Sequence, residues 1–256
     1  MASIPTEEEL TNYYNIYSYQ NSPYISPATI SSYNKLLDEF EKFRKLNRIL
    51  DVGCGAGDFL EIAKHRGWEV HGTEFSETAY KINLDKGIKI TKGILKTENY
   101  PVESFDVITS FEVLEHINNP VKEIQKVHTL LRKNGLFYCT TPNFNSISRY
   151  LLKQNYNIIT YPEHLSYYTP KTLKFLMNNN GFTTKKILCT GISFSRLEFG
   201  MGIQSHQDSV KEKSTDEKLR LKIEKRWHLK IIKKIINFLL TFTSKGVTIK
   251  GYYTKK

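Results

Sequence analysis

The sequence is poor in cysteine and lacks the close cysteine pairs that make redox or metal motifs. Cys54, Cys139 and Cys189 lie far apart in the 256-residue chain, and no C-x-x-C is present. Thiols spaced in this way are typical of buried apolar side chains in a reducing compartment, and the N-terminal residues do not follow the pattern of a secretory leader. We therefore expect a cytoplasmic protein.

Long apolar runs are also missing. The most apolar stretch near the C-terminus is interrupted by lysines, and its uncharged run is far too short to span a bilayer. The length suits one full hydrophobic core and does not suit a second independent domain. We expect one domain over 1–256, made of an N-terminal cap (1–47), a core (48–195), a helical insertion (196–245) and a last strand (246–256).

Acidic residues become scarce toward the C-terminus. The formal net charge is +11, and residues 196–256 hold 15 Lys and Arg against 6 Asp and Glu, which leaves 22 against 20 for residues 1–195. Such an asymmetry favours an anionic partner, either a membrane surface, a nucleic acid or an acidic substrate. The alternative is a solvated helix face, which is the commoner origin of a charge run.

A glycine-rich turn between a buried strand and a helix is the strongest feature that the sequence does contain. Residues 49–52 form a short apolar run suited to a central parallel strand, and a helical pattern begins at Phe59. Three glycines allow the backbone between them to bend tightly and to approach a ligand closely. They are Gly53, Gly55 and Gly57.

The spacing of these glycines indicates which nucleotide the turn binds. The third glycine comes one residue earlier than in the dinucleotide fingerprint G-x-G-x-x-G, which disfavours the rival assignment, a nucleotide-dependent oxidoreductase. Asp51 would hold an ammonium group better than a pyrophosphate. Glu74 ends the second predicted strand, where a carboxylate can accept both hydroxyls of a ribose. Its alternative role is that of an exposed acid capping the helix that begins near Ser76.

This D-x-G-x-G-x-G pattern resembles class I S-adenosylmethionine-dependent methyltransferases. The resemblance implies an α/β fold, a doubly wound seven-stranded Rossmann-like sheet, and S-adenosylmethionine as cofactor. The family usually has an acid beside the adenine amino group, but residues 93–95 are Gly, Ile and Leu. Adenine would therefore be recognised by backbone groups and apolar contacts. The expected cofactor contacts are Asp51, Gly53, Cys54, Gly55, Gly57, Glu74, Phe75, Ile94, Leu95, Ser110 and Phe111.

Alternating strand and helix patterns fill the rest of the chain, as a doubly wound sheet requires. We predict further strands at 68–74, 87–90, 105–111, 136–141, 187–189 and 247–253. Helices are predicted at 29–43, 77–84, 120–131 with its end at Asn134-Gly135, and 170–181. The tyrosine-rich segment 11–27 predicts an extended arm, which either covers the cofactor and substrate or simply covers the sheet. Its tyrosines are Tyr13, Tyr14, Tyr17, Tyr19 and Tyr24.

Titratable side chains follow the fourth and fifth strands, where ligands of doubly wound sheets bind. On a helical turn over 112–117, residues 112, 115 and 116 would share a face, and His164 would approach from the loop 142–168. The run resembles O-methyltransferases of quinone biosynthesis. It is also similar to small-RNA 3′-terminal 2′-O-methyltransferases, whose matching residues hold magnesium. By that resemblance, Mg²⁺ or another divalent cation would be held by Glu112, Glu115, His116 and His164.

The same residues allow simpler roles, in which His116 or His164 is a metal-free base or only a hydrogen-bonding group. We expect methyl transfer to oxygen on a small hydroxylated acceptor, either a sugar, a glycan or a phenolic metabolite, with His116, His164 and Glu112 as catalytic residues. Methylation of an RNA 2′-hydroxyl is the less favoured alternative. An inactive cofactor-binding partner module is the alternative from a different class.

Residues 227–242 predict a basic amphipathic helix within the insertion. Such a helix can lie on an anionic membrane, and we expect peripheral contact at the inner membrane face. The alternative is that its apolar side packs on the sheet or on a dimer mate, and the sequence leaves the oligomeric state open. The residues on the apolar side are Trp227, Ile231, Ile235, Phe238, Leu239 and Phe242, and the lysines are Lys230, Lys233 and Lys234.

Overall fold

The computed structural model describes residues 4–6, 9, 25–156, 158–194, 197 and 215–256. Seven strands of these residues form one sheet in the order β3-β2-β1-β4-β5-β7-β6. Strand β7 is antiparallel to both of its neighbours, and the other pairs are parallel. The strands are β1 (Arg48–Val52), β2 (Glu69–Glu74), β3 (Lys89–Lys92), β4 (Phe105–Phe111), β5 (Leu131–Pro142), β6 (Phe182–Thr190) and β7 (Thr248–Lys255).

Helices cover both faces of this sheet, which confirms the doubly wound α/β fold. They are α1 (Pro27–Phe40), α2 (Asp58–His65), α3 (Glu77–Asp85), α4 (Pro120–Leu130), α5 (Ile147–Leu152), α6 (Pro170–Asn179), α7 (Thr215–Lys225) and α8 (Trp227–Thr243). One apolar cluster includes side chains of α1 and α2, and a second cluster includes side chains of α4 and α6. Burial of these two clusters is the main stabilisation of the fold.

Local capping explains where several helices begin. Thr169 caps α6 by accepting a hydrogen bond from the Thr172 N–H at 3.2 Å, and Pro170 occupies the first turn, where its missing N–H costs nothing. Asn119 caps α4 in the same way, with Pro120 following it. Both helices thus start where the sequence predicts.

The predicted end of α4 is wrong. The helix stops at Leu130, and Asn134-Gly135 lies inside β5. Asn134 has a φ of +59°, and the pairing register with β4 shifts between Phe105 and Val107. An asparagine in the left-handed region followed by glycine suits a strand irregularity as well as a helix end, so the dipeptide alone did not separate the two.

Smaller differences concern strand ends and the insertion. Strand β3 begins two residues later than predicted, and β6 runs from Phe182 instead of 187. The described part of the insertion is helical, as α7 and α8. The tyrosines of the predicted arm lie outside the described residues. Among the helices of the described residues, none has both the length and the apolar character needed to cross a membrane.

Candidate functional site

A cavity of about 350 Å³ opens at the carboxyl ends of the parallel strands. This is the edge where ligands of doubly wound sheets bind. The glycine turn and Glu74 border one part of the cavity, and His116 borders another. Its lining includes Val52, Gly53, Thr73, Glu74, Phe75, Gly93, Ile94, Leu95, Phe111, Glu112, Val113, His116, Asn118, Asn119, Lys122, Glu123, Lys126 and Glu163.

The glycine turn between β1 and α2 has the tight backbone that the sequence predicts. Gly53 has a φ of +69° and Gly57 a φ of +76°, values that side chains strongly disfavour. A Cβ added at Gly53 would lie 2.6 Å from Cγ2 of Val113, and one at Gly57 would collide with the Asn83 side chain. Both positions therefore need glycine, because the backbone is left-handed there and a Cβ would collide with a neighbouring side chain.

Glu74 is buried and holds the turn in place. The Gly55 N–H donates to its Oε2 at 2.8 Å, and the Ser76 N–H donates to its Oε1 at 2.9 Å. The side chain is 8% exposed, which excludes the exposed-acid alternative, although the bond to Ser76 does support the start of α3. A carboxylate has about four lone-pair sites, so both oxygens can still accept a ribose hydroxyl.

Asp51 lies beneath the turn and is 2% exposed. The Thr109 hydroxyl donates to its Oδ1 at 2.7 Å. Burial raises the pKa of Asp51 to about 7, the Thr109 hydrogen bond opposes that rise, and the Glu74 carboxylate adds to it. Asp51 is not among the residues that line the cavity, but its neighbours Val52 and Gly53 are. Its carboxyl group would therefore titrate near neutral pH, and a nearby ammonium would favour its charged form.

The other predicted cofactor residues divide into two groups. Phe75, Ile94, Leu95 and Phe111 line the cavity with Gly53 and Glu74, although Leu95 is fully buried and packs mainly in the core. Cys54, Gly55, Gly57 and Ser110 do not line it.

Cys54 and Ser110 show why a motif position need not face the ligand. The Cys54 thiol lies 3.7 Å from Asn83 Oδ1 under the turn, and burial raises the pKa of this thiol. The Ser110 hydroxyl is buried and has no hydrogen-bond partner in the part of the chain that the structure describes. Both side chains are therefore placed within the protein rather than in the cavity.

Sequence reasoning missed the cavity wall at the start of α4. Asn118, Asn119, Lys122, Glu123 and Lys126 all line the cavity. Glu123 is 6% exposed and lies 3.2 Å from the Lys126 ammonium, so a buried acid borders the cavity although residues 93–95 contain none. The Asn119-Pro120 helix start, which follows the strand ending at the ligand edge after one short turn, is the signal that could have identified this wall.

The N-terminal residues that the structure describes also reach this wall. The Asn118 side-chain amide donates to the Pro5 carbonyl at 3.4 Å, and Pro5 is buried. This contact places residues 4–6 beside the cavity-lining Asn118. It agrees with an N-terminal segment that covers the site, which remains a prediction for the tyrosine-rich arm.

The helical face predicted for Glu112, Glu115 and His116 is wrong. Glu112 has a φ of +52°, and the turn after it is a short 3₁₀ helix over Leu114–His116. Glu112 therefore does not continue the face of the other two residues. Among the described residues, Glu115, His116 and His164 each offer one possible metal-ligand atom, and these atoms lie within 4.8 Å of one another.

Both histidines are oriented by backbone carbonyl groups. The Nδ1–H of His116 donates to the Glu163 carbonyl and that of His164 to the Ile158 carbonyl, each at 2.7 Å. Because a carbonyl oxygen can only accept, Nδ1 carries a proton in both rings. The two ring centroids are 4.8 Å apart. Burial lowers the pKa of His116, which keeps this imidazole in its neutral form at neutral pH.

Glu115 is held just as firmly. It is 2% exposed, and the Thr141 hydroxyl donates to its Oε2 at 2.9 Å. Its backbone carbonyl accepts from the N–H groups of Leu165 and Ser166, which brings the loop carrying His164 against the turn carrying His116. Oε1 of Glu115 is 3.9 Å from Nε2 of His116. The three residues can serve as a proton acceptor with a neighbouring carboxylate, or as ligands of a cation.

Comparison with known proteins identifies the relatives of this chain. A family model described as a methyltransferase domain matches residues 28–187. A ubiquinone biosynthesis O-methyltransferase of Colwellia psychrerythraea is 37% identical over 112 residues, and that match covers 41% of this chain and 45% of the relative. The corresponding protein of Chromobacterium violaceum is 31% identical over 112 residues, with 41% and 48% covered. The chain thus spans about half the length of the curated relatives it matches.

A solved structure shows the same fold over most of the chain. A SAM-dependent methyltransferase from Archaeoglobus fulgidus superposes with a TM-score of 0.56 at 21% identity, covering 88% of this chain and 93% of that one. At this identity the likeness concerns the fold. The seven-stranded sheet with helices on both faces is therefore shared with a solved protein of that class.

Proposed function

Since the chain belongs to the class I S-adenosylmethionine-dependent methyltransferases, we propose that it transfers the methyl group of S-adenosylmethionine to a hydroxyl oxygen of a small acceptor. The sulfonium is already an activated methyl donor. Catalysis then requires in-line placement of the acceptor oxygen and removal of its proton. The acceptor that we favour is a sugar, glycan or phenolic metabolite.

The observation that carries this proposal is the position of His116. The residue lines the cavity, its Nδ1–H is fixed by the Glu163 carbonyl, and it lies beside His164 and the buried Glu115 carboxylate. Burial lowers its pKa, so the imidazole is neutral when the acceptor arrives. His116 would take the hydroxyl proton at Nε2, with His164 beside it orienting the acceptor.

The cofactor would occupy the part of the cavity next to the glycine turn. Glu74 would accept the ribose hydroxyls, and Phe75, Ile94 and Leu95 would border the adenine. The turn and the Asp51 carboxylate would face the methionine end, where the ammonium group is cationic. The roles of Glu74, Phe75, Ile94 and Leu95 follow from the resemblance and from their place in the cavity lining, whereas the role of Asp51 rests on the sequence pattern.

The names of the curated relatives support oxygen as the methyl acceptor. Both are ubiquinone biosynthesis O-methyltransferases, and their matches cover 41% of this chain. A hydroxylated small molecule is therefore favoured over an RNA 2′-hydroxyl. The excess of Lys and Arg in residues 196–256 permits an RNA without requiring one.

A divalent cation is a second role for the histidines, and the residues fit one. Two imidazoles with Nδ1 bound to carbonyls present Nε2 in the manner of metal ligands, and Glu115 adds a carboxylate. Nitrogen-rich sets suit zinc or iron better than Mg²⁺, which prefers oxygen. When bound, such an ion would lower the pKa of the acceptor hydroxyl. Because Glu112, the fourth predicted ligand, is not part of this set, we favour His116 as a metal-free base.

Labelled S-adenosylmethionine incubated with separate sugar, phenol and RNA pools tests the proposal. We expect label in the sugar or phenol pool, and label only in RNA would overturn the acceptor class. No transfer, together with retained binding of S-adenosylhomocysteine, would favour the inactive partner module. Each incubation is repeated with a chelator and with zinc or iron added back, and unchanged activity supports the metal-free role of His116.

A further inference from the structure

Helix α8 attaches to the sheet through its polar residues. The Gly191 N–H donates to Oδ1 of Asn237 at 2.9 Å. The Thr241 hydroxyl accepts from the Cys189 N–H at 3.2 Å and donates to the Cys189 carbonyl at 3.0 Å. Leu240, at 8% exposed, is the buried residue of this helix. The face of α8 that contacts the protein is therefore largely a hydrogen-bonding face.

The apolar face of α8 points the other way. Trp227 is 74% exposed, Phe238 69% and Phe242 81%. A surface helix ordinarily buries its apolar stripe and exposes its charges, so this arrangement is inverted. The structure thus contradicts packing of the stripe on the sheet. The other exposed apolar residues of the helix are Ile231, Ile232, Ile235, Ile236 and Leu239.

Helix α5 extends this surface beyond the C-terminal end of α8. The Ile147 N–H donates to the Lys245 carbonyl at 2.9 Å, and the Lys245 ammonium lies 3.9 Å from the centroid of the Tyr150 ring. Tyr150 is 54% and Leu151 56% exposed. Helix α5 therefore adds exposed apolar side chains beside the end of α8, so the exposed apolar residues of this region are clustered instead of scattered singly.

The charges around this surface favour an anionic occupant. Residues 225–256 contain nine Lys and Arg and no Asp or Glu. Lys230 and Lys234 lie one turn apart on α8, and Arg226 precedes the helix at the same spacing, so the three form a row of cations. The nearest acid that pairs with this row is Glu224, 3.5 Å from Lys230. A two-fold dimer would bring the same cationic row against itself, which costs free energy.

We propose that α8 and α5 form a docking surface for an anionic lipid bilayer. Helix α8 would lie in the plane of the interface, with Trp227, Phe238 and Phe242 inserted among the acyl chains. The row of cations would extend its ammonium and guanidinium groups to the acidic headgroups. Apolar insertion gives the contact its strength, and the charges restrict it to acidic membranes.

Cosedimentation with vesicles tests this surface in the full chain. The protein is mixed with phosphatidylcholine vesicles that contain either no acidic lipid or one-third phosphatidylglycerol, at low and at high salt. The first variant is Phe238→Ser with Phe242→Ser, and the second is Arg226→Gln with Lys234→Gln. The matched control is Phe175→Ser, which removes a phenylalanine that is 70% exposed on α6. Thermal unfolding confirms that each variant is folded.

We expect wild type and Phe175→Ser to pellet with acidic vesicles at low salt and to remain largely in the supernatant with neutral vesicles. The variant Phe238→Ser with Phe242→Ser should lower the partition coefficient about tenfold for each ring removed. The variant Arg226→Gln with Lys234→Gln should lower it about fivefold for each cation removed. Wild type that stays in the supernatant with acidic vesicles at low salt overturns the proposal. So does a concentration-dependent dimer in sedimentation velocity that Phe238→Ser with Phe242→Ser dissociates, because a second copy would then cover the face.

Discussion

The two sides of the cavity hold their functional groups by different means. On the cofactor side, Glu74 and Thr73 at the end of β2 accept from the N–H groups of Gly55 and Gly53, so neighbouring strand ends fix one another. On the acceptor side, His116 and His164 are oriented by carbonyls of residues 163 and 158, in an irregular loop. A sheet edge supports the first set, and loop backbone supports the second.

This difference predicts different consequences of substitution. A change on the cofactor side should affect ligand affinity and the stability of the turn together, because the same side chains serve both. A change on the acceptor side should affect turnover and leave the bound cofactor in place. Substitutions on each side should therefore be distinguishable by measuring turnover, cofactor affinity and stability separately.

Replacing His116 by Asn should have the largest effect. The change removes the basic Nε2, so we expect kcat to fall by about 10²- to 10⁴-fold, the usual contribution of a general base. Affinity for S-adenosylhomocysteine, measured by calorimetry, should change by less than about threefold, since cofactor contacts lie on the other side. His65→Asn on the exposed end of α2 is the control. A parallel loss of affinity would show that the two sides are not separable.

Replacing Glu74 by Ala should lower affinity for S-adenosylhomocysteine by about 2 kcal/mol, roughly thirtyfold, because the ribose loses its carboxylate. The thermal midpoint of the ligand-free protein should fall as well, since the Gly55 and Ser76 N–H groups lose their acceptor. Glu74→Gln keeps one acceptor oxygen, so its affinity and its thermal midpoint should lie between those of wild type and Glu74→Ala. Unchanged affinity in Glu74→Ala would remove the ribose assignment.

The pKa of Asp51 predicts a pH dependence of cofactor binding. Because burial raises this pKa to about 7, the carboxyl group is mostly protonated below that pH and mostly ionised above it. The ammonium of S-adenosylhomocysteine favours the ionised form, so affinity should rise with pH up to about 7 and then level off. The slope below pH 7 should approach about tenfold per unit. Asp51→Asn should bind S-adenosylhomocysteine weakly, and its affinity should not change with pH in this range. If the affinity of the wild type does not rise with pH either, Asp51 does not interact with the ligand.

Replacing Ser110 by Ala should have the smallest effect. Its buried hydroxyl has no hydrogen-bond partner among the described residues, so removing it should raise the free energy of unfolding by up to about 1 kcal/mol in urea titrations. Affinity for S-adenosylhomocysteine should stay within about twofold, since Ser110 does not line the cavity. A larger loss would instead support the cofactor contact that the family resemblance implies.

Several elements on the cofactor side could be predicted because their signals are local. The glycine turn, the capped starts of α4 and α6 and the acid that ends β2 each depend on a few adjacent residues. Glu112 could not be placed, because its left-handed backbone breaks the periodicity on which the shared helical face depended. The direction of the α8 stripe was equally inaccessible, since periodicity shows that one side is apolar but not which side meets the protein.

The position of β7 has a consequence for synthesis of the chain. This strand lies between β5 and β6, and its Ile249 and Tyr253 are fully buried. Until residues 248–255 have left the ribosome, β5 and β6 expose unpaired backbone groups and the apolar side chains that β7 will cover. Unpaired strand edges are templates for association with other chains. The growing polypeptide therefore exposes these edges in the interval between the emergence of β6 and that of β7, while α7 and α8 are being made.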